Sequence, residues 1–190
     1  QSNYTVSHLL YTERYQEENA SMVPKFGGIK ILINPKELAS LGTFSTNDQA
    51  LAVAKIKENK PLTFGKEQLI LALDDVRDPG NLGTIIRIAD WYGIKKILLS
   101  KNTADVYNPK VLNASMGSFT RLSFEYVDLF EKLTASQLPV YGAFLEGENV
   151  HHLRKAATGI LLMGNESNGI SGQLEKIVTQ KLTIPAFGEA

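Results

Sequence analysis

One segment near the middle of the chain indicates the architecture most clearly, and it reads Leu71-Ala72-Leu73-Asp74-Asp75-Val76-Arg77-Asp78-Pro79-Gly80-Asn81-Leu82-Gly83-Thr84-Ile85-Ile86-Arg87. Its first three residues are apolar and continue a strand-like run, and a turn rich in aspartate, proline, glycine and asparagine follows them. From Thr84 to Tyr92 the apolar residues recur at helical spacing, and Gly93 is suited to end a helix. The segment therefore predicts a buried strand, a polar turn and a helix.

The predicted helix has an apolar face and a polar face. We expect the apolar face to pack on the sheet, and it consists of Ile85, Ile88, Ala89 and Tyr92. Arg87 lies nearly opposite, and because helical side chains lean toward the N-terminus, its guanidinium should reach back over the turn that holds Asn81. Both groups would then meet at the carboxyl edge of the sheet, where open α/β folds bind ligands. The alternative is an ordinary turn in which Asn81 caps the helix and Arg87 is solvated.

The remainder of the chain beyond residue 66 continues this pattern. Apolar runs of strand length recur at 69–73, 97–99, 122–126, 140–145, 159–163 and 182–184. Segments with helical spacing lie between several of them, at 84–92, 109–116, 129–133 and 174–178. Alternation of strands and helices predicts an α/β fold, with a mostly parallel sheet covered by helices on both faces.

Residues 1 to about 60 have a different pattern. The run 29–33 is strand-like, and Asn34-Pro35 is suited to begin a helix. The segment 50–56 is ambiguous between helix and strand, although its alternation fits a strand better. Residues 57–65 contain proline and glycine and are the predicted linker. We therefore expect two domains, at 1–60 and 66–190, of which the first is small and of α/β type.

Composition excludes several classes of protein. The 190 residues include 20 basic and 20 acidic residues and no cysteine, which excludes disulfides, thiolate catalysis and cysteine zinc sites. The absence of cysteine fits a reducing compartment, so we expect a cytoplasmic protein, and no apolar run is long enough to span a membrane. The three histidines lack metal-ligand spacing, so we expect no metal. Zero net charge gives no sign of a nucleic-acid partner, although a balanced total can contain a local basic patch.

A second unusual segment reads Gly164-Asn165-Glu166-Ser167-Asn168-Gly169-Ile170-Ser171. It follows a predicted strand, its glycines allow close backbone approach, and Ser171 is suited to cap a helix. The segment carries Glu166 but no lysine or arginine, so it favours a neutral or cationic ligand held by backbone groups over a phosphate. The alternative is a glycine turn with an exposed glutamate. Neither a dinucleotide fingerprint nor a phosphate-binding P-loop is present in the sequence.

Together these segments resemble the SpoU (TrmH) family of RNA ribose 2′-O-methyltransferases, in the SPOUT superfamily. The run 78–87 is similar to the first motif of that family, 163–171 to the second, and Ile184-Pro185 to the opening of the third. The order of the motifs and the step from Gly164 to Ile184 also match, and 113–118 is similar to a segment between the first two motifs. The resemblance covers roughly residues 66–190. Residues 1 to about 60 resemble the tail of a ribosomal-protein-like substrate-binding domain that precedes the catalytic domain in many members.

The resemblance implies a C-terminal trefoil knot, a rare exception to the rule against knots. It also implies a homodimer that binds S-adenosylmethionine among the knot loops and completes its active site across the dimer interface. By position, the cofactor would lie on backbone groups at Gly164 and Ile184, with Asn81, Arg87 and Glu166 at the catalytic centre. The third motif of the family continues beyond the counterpart of Ala190, so we expect the natural protein to be longer at both ends.

The resemblance predicts methyl transfer to a ribose 2′-hydroxyl of RNA. We favour ribosomal RNA over transfer RNA because of the N-terminal domain. Because an arginine guanidinium ordinarily has a pKa above about 12, Arg87 is either an unusual base or a cation that stabilises the forming alkoxide. Two alternatives are a transfer RNA 2′-O-methyltransferase and a non-catalytic RNA-binding or assembly protein of the same fold. A nucleotide-dependent α/β enzyme is disfavoured by the absence of phosphate motifs.

Overall fold

The fold comes from a computed structural model that describes residues 4–42, 46–65, 68–153 and 158–188. The chain divides into two compact units, Gln1–Glu58 and Asn59–Ala190. Among the helices of the described ranges, none combines the length and the apolar character that a membrane crossing requires.

The first unit contains a three-stranded sheet in the order β2-β1-β3. Strand β1 is parallel to β2 and antiparallel to β3. The bounds are β1 Val6–Tyr11, α1 Glu13–Glu18, β2 Ile29–Leu32, α2 Pro35–Leu41 and β3 Ala50–Ala54. The helix predicted to begin at Asn34-Pro35 is confirmed, because Asn34 caps α2 in a reciprocal capping box with Glu37. The ambiguous segment 50–56 contains strand β3.

The second unit contains a six-stranded sheet in the order β6-β5-β4-β8-β7-β9, and every pairing in it is parallel. Its strands are β4 Leu69–Leu73, β5 Lys96–Leu99, β6 Ser123–Tyr126, β7 Val140–Asn149, β8 Gly159–Met163 and β9 Gln180–Thr183. Its helices are α3 Pro79–Trp91, α4 Pro109–Ala114, α5 Leu129–Ser136 and α6 Gly172–Glu175. The predicted parallel α/β fold is confirmed, although α6 is shorter than the expected 174–178.

The two faces of this sheet carry separate hydrophobic cores. Along β4, Leu71 and Leu73 pack with residues of α3 and α4, whereas Ile70 and Ala72 pack with residues of α5 and α6. Successive side chains of a strand point to opposite faces. Strand β4 is therefore buried on both faces, which explains its continuous apolar sequence.

Helix α3 buries only part of the face that was expected. Its buried residues include Leu82, Ile86 and Ala89, which follow an i, i+4, i+7 row, whereas Ile88 is 50% exposed and Tyr92 is 76% exposed. The expectation was right for Ala89, which is buried, and for Ile85, which is partly buried and packs against the same core, and it was wrong for Ile88 and Tyr92. The helix begins more than a turn before residue 84, so Leu82 joins the buried row together with Ile86, which the expected face left out.

The predicted linker is mostly attached to the second unit. The side-chain amide of Asn59 donates to the Tyr126 carbonyl and accepts from the Tyr126 N–H, both at 2.8 Å. The Leu62 N–H donates to the Glu125 carboxylate at 2.7 Å, and Lys132 donates to the Leu62 carbonyl at 3.1 Å. Strand β6 lies at the edge of the sheet, where backbone groups lack a neighbouring strand. The segment that begins at Asn59 supplies partners for them.

Candidate active site

The two segments that the sequence singles out follow neighbouring strands. Strand β4 lies between β5 and β8, and all three are parallel. The chain leaves β4 toward β5 on one side, whereas β8 pairs with it from the other side. This change of direction produces a crevice at the carboxyl edge of the sheet, which is the usual ligand position in open α/β folds. The turn 74–78 and the loop 164–171 lie at this edge.

Hydrogen bonds fix the loop after β8 to the turn after β4. The Asp74 N–H donates to the Met163 carbonyl, and the Asn165 side chain donates to the Asp75 carbonyl, both at 2.8 Å. At the far end of the loop, the Ser171 N–H donates to the Asp74 carboxylate at 2.8 Å. The Asp74 residue is only 7% exposed. Both ends of the loop are therefore held in place.

The interior of this loop is folded tightly on itself. Backbone hydrogen bonds join Asn165 and Gly169 in both directions, at 3.0 and 2.9 Å. An added Cβ at Gly164 would overlap the backbone of Gly169 and Ile170. The glycine at position 164 is therefore required by close approach, and the loop presents backbone groups near the end of β8.

Asn81 and Glu166 meet at the crevice. The Asn81 side-chain amide donates to Oε1 of Glu166 at 2.5 Å, which joins the first predicted motif to the second. Helix α3 is capped by Asp78, whose carboxylate accepts from the Asn81 N–H at 2.7 Å. The alternative role of Asn81 as the helix cap is thus wrong. Asn81 is the third residue of the helix, and its side chain serves the contact with Glu166.

Arg87 lies on the exposed side of α3. Among the residues that the structure describes, it makes no hydrogen bond and no ion pair. The structure therefore brings Asn81 and Glu166 together, but it does not show the expected contact between Arg87 and the turn that holds Asn81. In contrast, Arg77 in that turn is paired with Asp75 at 2.8 Å, and this hydrogen bond raises the pKa of the Arg77 guanidinium.

An excursion in β7 was not expected from the sequence. Leu182 of β9 pairs with both Ala143 and Glu148 of β7, so residues 144–147 leave the ladder between these two pairings. An added Cβ at Gly147 would lie 2.7 Å from the backbone of Lys181. The sequence analysis treated 140–145 as one strand run, and Gly147 after that run was the available signal of an irregularity.

Three backbone segments end near one another at the same edge of the sheet. Gly164 follows β8, Ile184 follows β9, and Leu145 is in the excursion of β7, where its carbonyl accepts from the Thr183 hydroxyl at 2.9 Å. Leu145 is 99% exposed and Ile184 is 77% exposed. Exposed apolar side chains beside the ends of these strands suit a ligand with an apolar surface. Among the described residues, no group of three or more histidines and carboxylates could hold a metal ion.

A comparison with protein families matches this part of the chain. The model of the SpoU rRNA Methylase family matches residues 68–190, which is well over half of the sequence. The chain belongs to the SpoU rRNA methylase family. All five residues proposed from the sequence, Asn81, Arg87, Gly164, Glu166 and Ile184, lie within the matched segment.

Named relatives within this family are RNA methyltransferases. The chain is 34% identical over 152 residues to the 23S rRNA (guanosine(2553)-2′-O)-methyltransferase RlmP of Bacillus subtilis, which covers 76% of this chain and 59% of that protein. It is 43% identical over 102 residues to the mitochondrial rRNA methyltransferase 3 of Xenopus laevis, covering 51% of this chain and 22% of that one. The chain therefore spans about three fifths of the first relative and about a fifth of the second.

Solved structures of the SpoU type have the same fold. An rRNA methyltransferase from Sinorhizobium meliloti, solved with S-adenosylmethionine bound, superposes with a TM-score of 0.84 at 27% identity, over 99% of this chain and 74% of that one. The SpoU methyltransferase AviRb from Streptomyces viridochromogenes, in complex with the same cofactor, superposes with a TM-score of 0.83 at 25% identity. The match covers 99% of this chain and 77% of that one. The predicted α/β fold with a mostly parallel sheet is thus confirmed.

Proposed function

We propose that this protein transfers a methyl group from S-adenosylmethionine to a ribose 2′-hydroxyl of ribosomal RNA. The observation that carries the proposal is the hydrogen bond between Asn81 and Glu166, which joins the first and second family motifs at the carboxyl edge of the sheet. The names of the relatives from Bacillus subtilis and Xenopus laevis support ribosomal RNA over transfer RNA. The bacterial relative also supports the expected cytoplasmic location.

The two-domain organisation is part of this proposal. We assign residues 1–60 to part of a ribosomal-protein-like RNA-binding domain and 66–190 to the catalytic domain, with a C-terminal trefoil knot. The division of the chain between Glu58 and Asn59 supports two units. The hydrogen bonds between Asn59 and Tyr126 support a boundary before Asn59.

The crevice has the chemistry that the cofactor requires. Gly164 and Ile184 would hold it through backbone groups, and the exposed side chains of Leu145 and Ile184 suit its adenine ring. The loop 164–171 carries no lysine or arginine, so no cation opposes a positively charged sulfonium, and Glu166 is the acidic residue beside it. When bound, S-adenosylmethionine supplies an electrophilic methyl group.

The residues of this chain would orient the hydroxyl and assist the loss of its proton. Alignment of reacting groups alone lowers barriers by several kcal/mol. Asn81 keeps Glu166 in position at the crevice through their hydrogen bond. Arginine is effectively always protonated in proteins, and Arg87 is exposed. We therefore favour Arg87 as a cation that stabilises the forming alkoxide over Arg87 as a base.

A homodimer is the assembly we propose. Trp91 lies one turn beyond Arg87 on α3 and is 86% exposed, and Ile88 beside it is half exposed. Apolar side chains of this size are suited to cover by a second copy, which would also approach Arg87. The double substitution Ile88→Ser and Trp91→Ser should convert the dimer to a monomer in sedimentation velocity with an unchanged circular dichroism spectrum. If the double variant still forms a dimer with the affinity of the wild type, this face of α3 is not the dimer interface.

Methyl transfer from tritiated S-adenosylmethionine to unmodified ribosomal RNA tests the activity. Arg87→Ala should reduce transfer at least about 100-fold, since positioned groups at reacting protons contribute that much, while calorimetry shows most of the cofactor affinity retained. Arg87→Lys distinguishes charge from the planar guanidinium, and Lys110→Ala on α4 is the control for loss of an exposed cation. Normal turnover by Arg87→Ala would exclude both roles of Arg87. Cofactor binding by the wild type without transfer to ribosomal RNA would overturn the proposed reaction, and transfer to transfer RNA instead would correct its substrate.

A further inference from the structure

A cavity of about 440 Å³ lies beside the loop that carries Glu166. Its walls come from the segments that follow β4, β5, β6 and β8, all within the second unit. This volume is within the range of pockets that hold small organic groups. None of the five residues assigned above to the cofactor and to catalysis lines it.

Four polar side chains on the walls have no partner within the described part of the chain. They are one cation and three amides, namely Lys101, Asn102, Asn168 and Gln173. An amide group offers a donor and an acceptor on one plane. Three such groups around one cavity are suited to a ligand whose edge also alternates donors and acceptors.

The carboxylates on the walls are already engaged. Asp74 accepts from the Ser171 N–H, Asp75 is paired with Arg77, and Asp128 caps α5. Three carboxylates and a single lysine make the cavity unfavourable for a phosphate. The groups that remain available are therefore those that recognise a neutral polar ligand.

An aromatic side chain and aliphatic side chains line the same cavity. Phe130 of α5 is half-buried there, and the aliphatic lining residues are Val127, Leu129 and Leu174. Single-stranded RNA is recognised by aromatic side chains that stack on unstacked bases and by polar groups that bond to their edges. The combination of Phe130 and three amides matches this requirement.

We propose that this cavity binds one unstacked base of the RNA substrate, stacked on Phe130 and bonded at its edge by Asn102, Asn168 and Gln173. The inference rests on the proposed function and adds to it a site for a nucleotide near the methylated one. The cavity shares a wall with the catalytic loop, because Asn165 and Asn168 flank Glu166 in sequence and line the cavity. The bonds of Asp74 and Asp75 to this loop keep the wall fixed. A base bound here would therefore attach the RNA strand beside the catalytic loop.

Two conservative substitutions test the cavity. Phe130→Leu keeps an apolar side chain and removes the aromatic face, and Asn102→Ala removes an exposed amide. Both should raise the KM for a ribosomal RNA transcript at least about fivefold, the factor for one lost base stack or good hydrogen-bonded contact. The kcat at saturating RNA and the calorimetric affinity for S-adenosylmethionine should change less than twofold. Lys110→Ala, outside the cavity, is the control and should change none of these quantities.

Photo-crosslinking gives a readout that does not depend on turnover. The same transcript, substituted with 4-thiouridine, should crosslink in the wild type to peptides containing residues 127–130 or 168–174, and Phe130→Leu should reduce that yield. An unchanged KM in both variants, together with crosslinks only elsewhere, would overturn the base site. If the wild type crosslinks at these peptides but transfers no methyl group, the base site stands and the proposed reaction fails.

Discussion

The two sides of helix α3 differ in burial and in their contacts. On one side, Leu82 and Ile86 are fully buried against the sheet and α4 packs closely on Gly83. On the other side, Arg87, Ile88 and Trp91 are exposed, and within the described residues the Arg87 guanidinium has no partner. One helix therefore combines a rigid support with an open surface. The buried side fixes the position of Asn81 at the start of the helix, and the open side is the surface that we propose for substrate and for a second copy.

The largest expected effect on folding is at the centre of the buried side. Leu82→Ala should lower the free energy of unfolding by about 2–5 kcal/mol, because it removes a fully buried side chain and leaves a cavity. Ile88→Ala on the opposite side is the matched control and should cost less than about 1 kcal/mol. Urea denaturation at low protein concentration measures both. Equal losses for the two variants would contradict the assignment of the faces.

A smaller effect is expected where α3 approaches α4. Gly83→Ala would place a Cβ 2.5 Å from Cβ of Ala114 and 2.7 Å from the Val111 carbonyl oxygen, so the two helices must move apart. Such overpacking lowers the free energy of unfolding by about 1–3 kcal/mol. The loss is measured as a shift of the urea midpoint. Gly172→Ala is the control, because a Cβ there would meet nothing within 4 Å. A neutral Gly83→Ala variant would mean that the helices are less closely packed than described.

The smallest effect concerns the ion pair at the end of α3. Arg121 donates to Asp90 at 2.7 Å, and this hydrogen bond is the main reason that the pKa of the Asp90 carboxyl is lowered from 3.8. The ionised carboxylate therefore stabilises the fold above about pH 4, and its contribution is lost as the pH falls through the lowered pKa. Asp90→Asn should lower the free energy of unfolding by about 1 kcal/mol at pH 7. In urea denaturation at acid pH, the difference from wild type should disappear. A difference that does not depend on pH would contradict the ionic origin.

Several features of the site could be predicted because they are encoded locally. The strand, turn and helix over 71–87 follow from apolar runs, turn residues and helical spacing that lie close together in sequence. The first and second motifs could likewise be expected at one edge, since parallel strands carry their following loops to the same side. The contact between Asn81 and Glu166 confirms that expectation across 85 residues of sequence.

Other features depended on contacts that periodicity does not reveal. The buried side of α3 depends on which of its residues face the sheet and α4, and Leu82 is among them because the helix begins directly after the cap at Asp78. The attachment of Asn59 to Tyr126 joins residues 67 positions apart, so composition alone indicated a free linker. The excursion of β7 lies between its two pairings with β9, and Gly147 alone does not specify where those pairings occur.

The sequence by itself determined the α/β class, the order of the strands along the chain and the family motifs, because each arises from short-range spacing and residue type. Only the tertiary structure decided which side of α3 is open, how the loop after β8 is hydrogen-bonded to Asp74 and Asp75, and where a cavity lined by Phe130 and amide side chains forms. These depend on strand order and on packing between distant segments. Whether two distant segments meet is set by the fold of the whole chain and not by the residues near either segment.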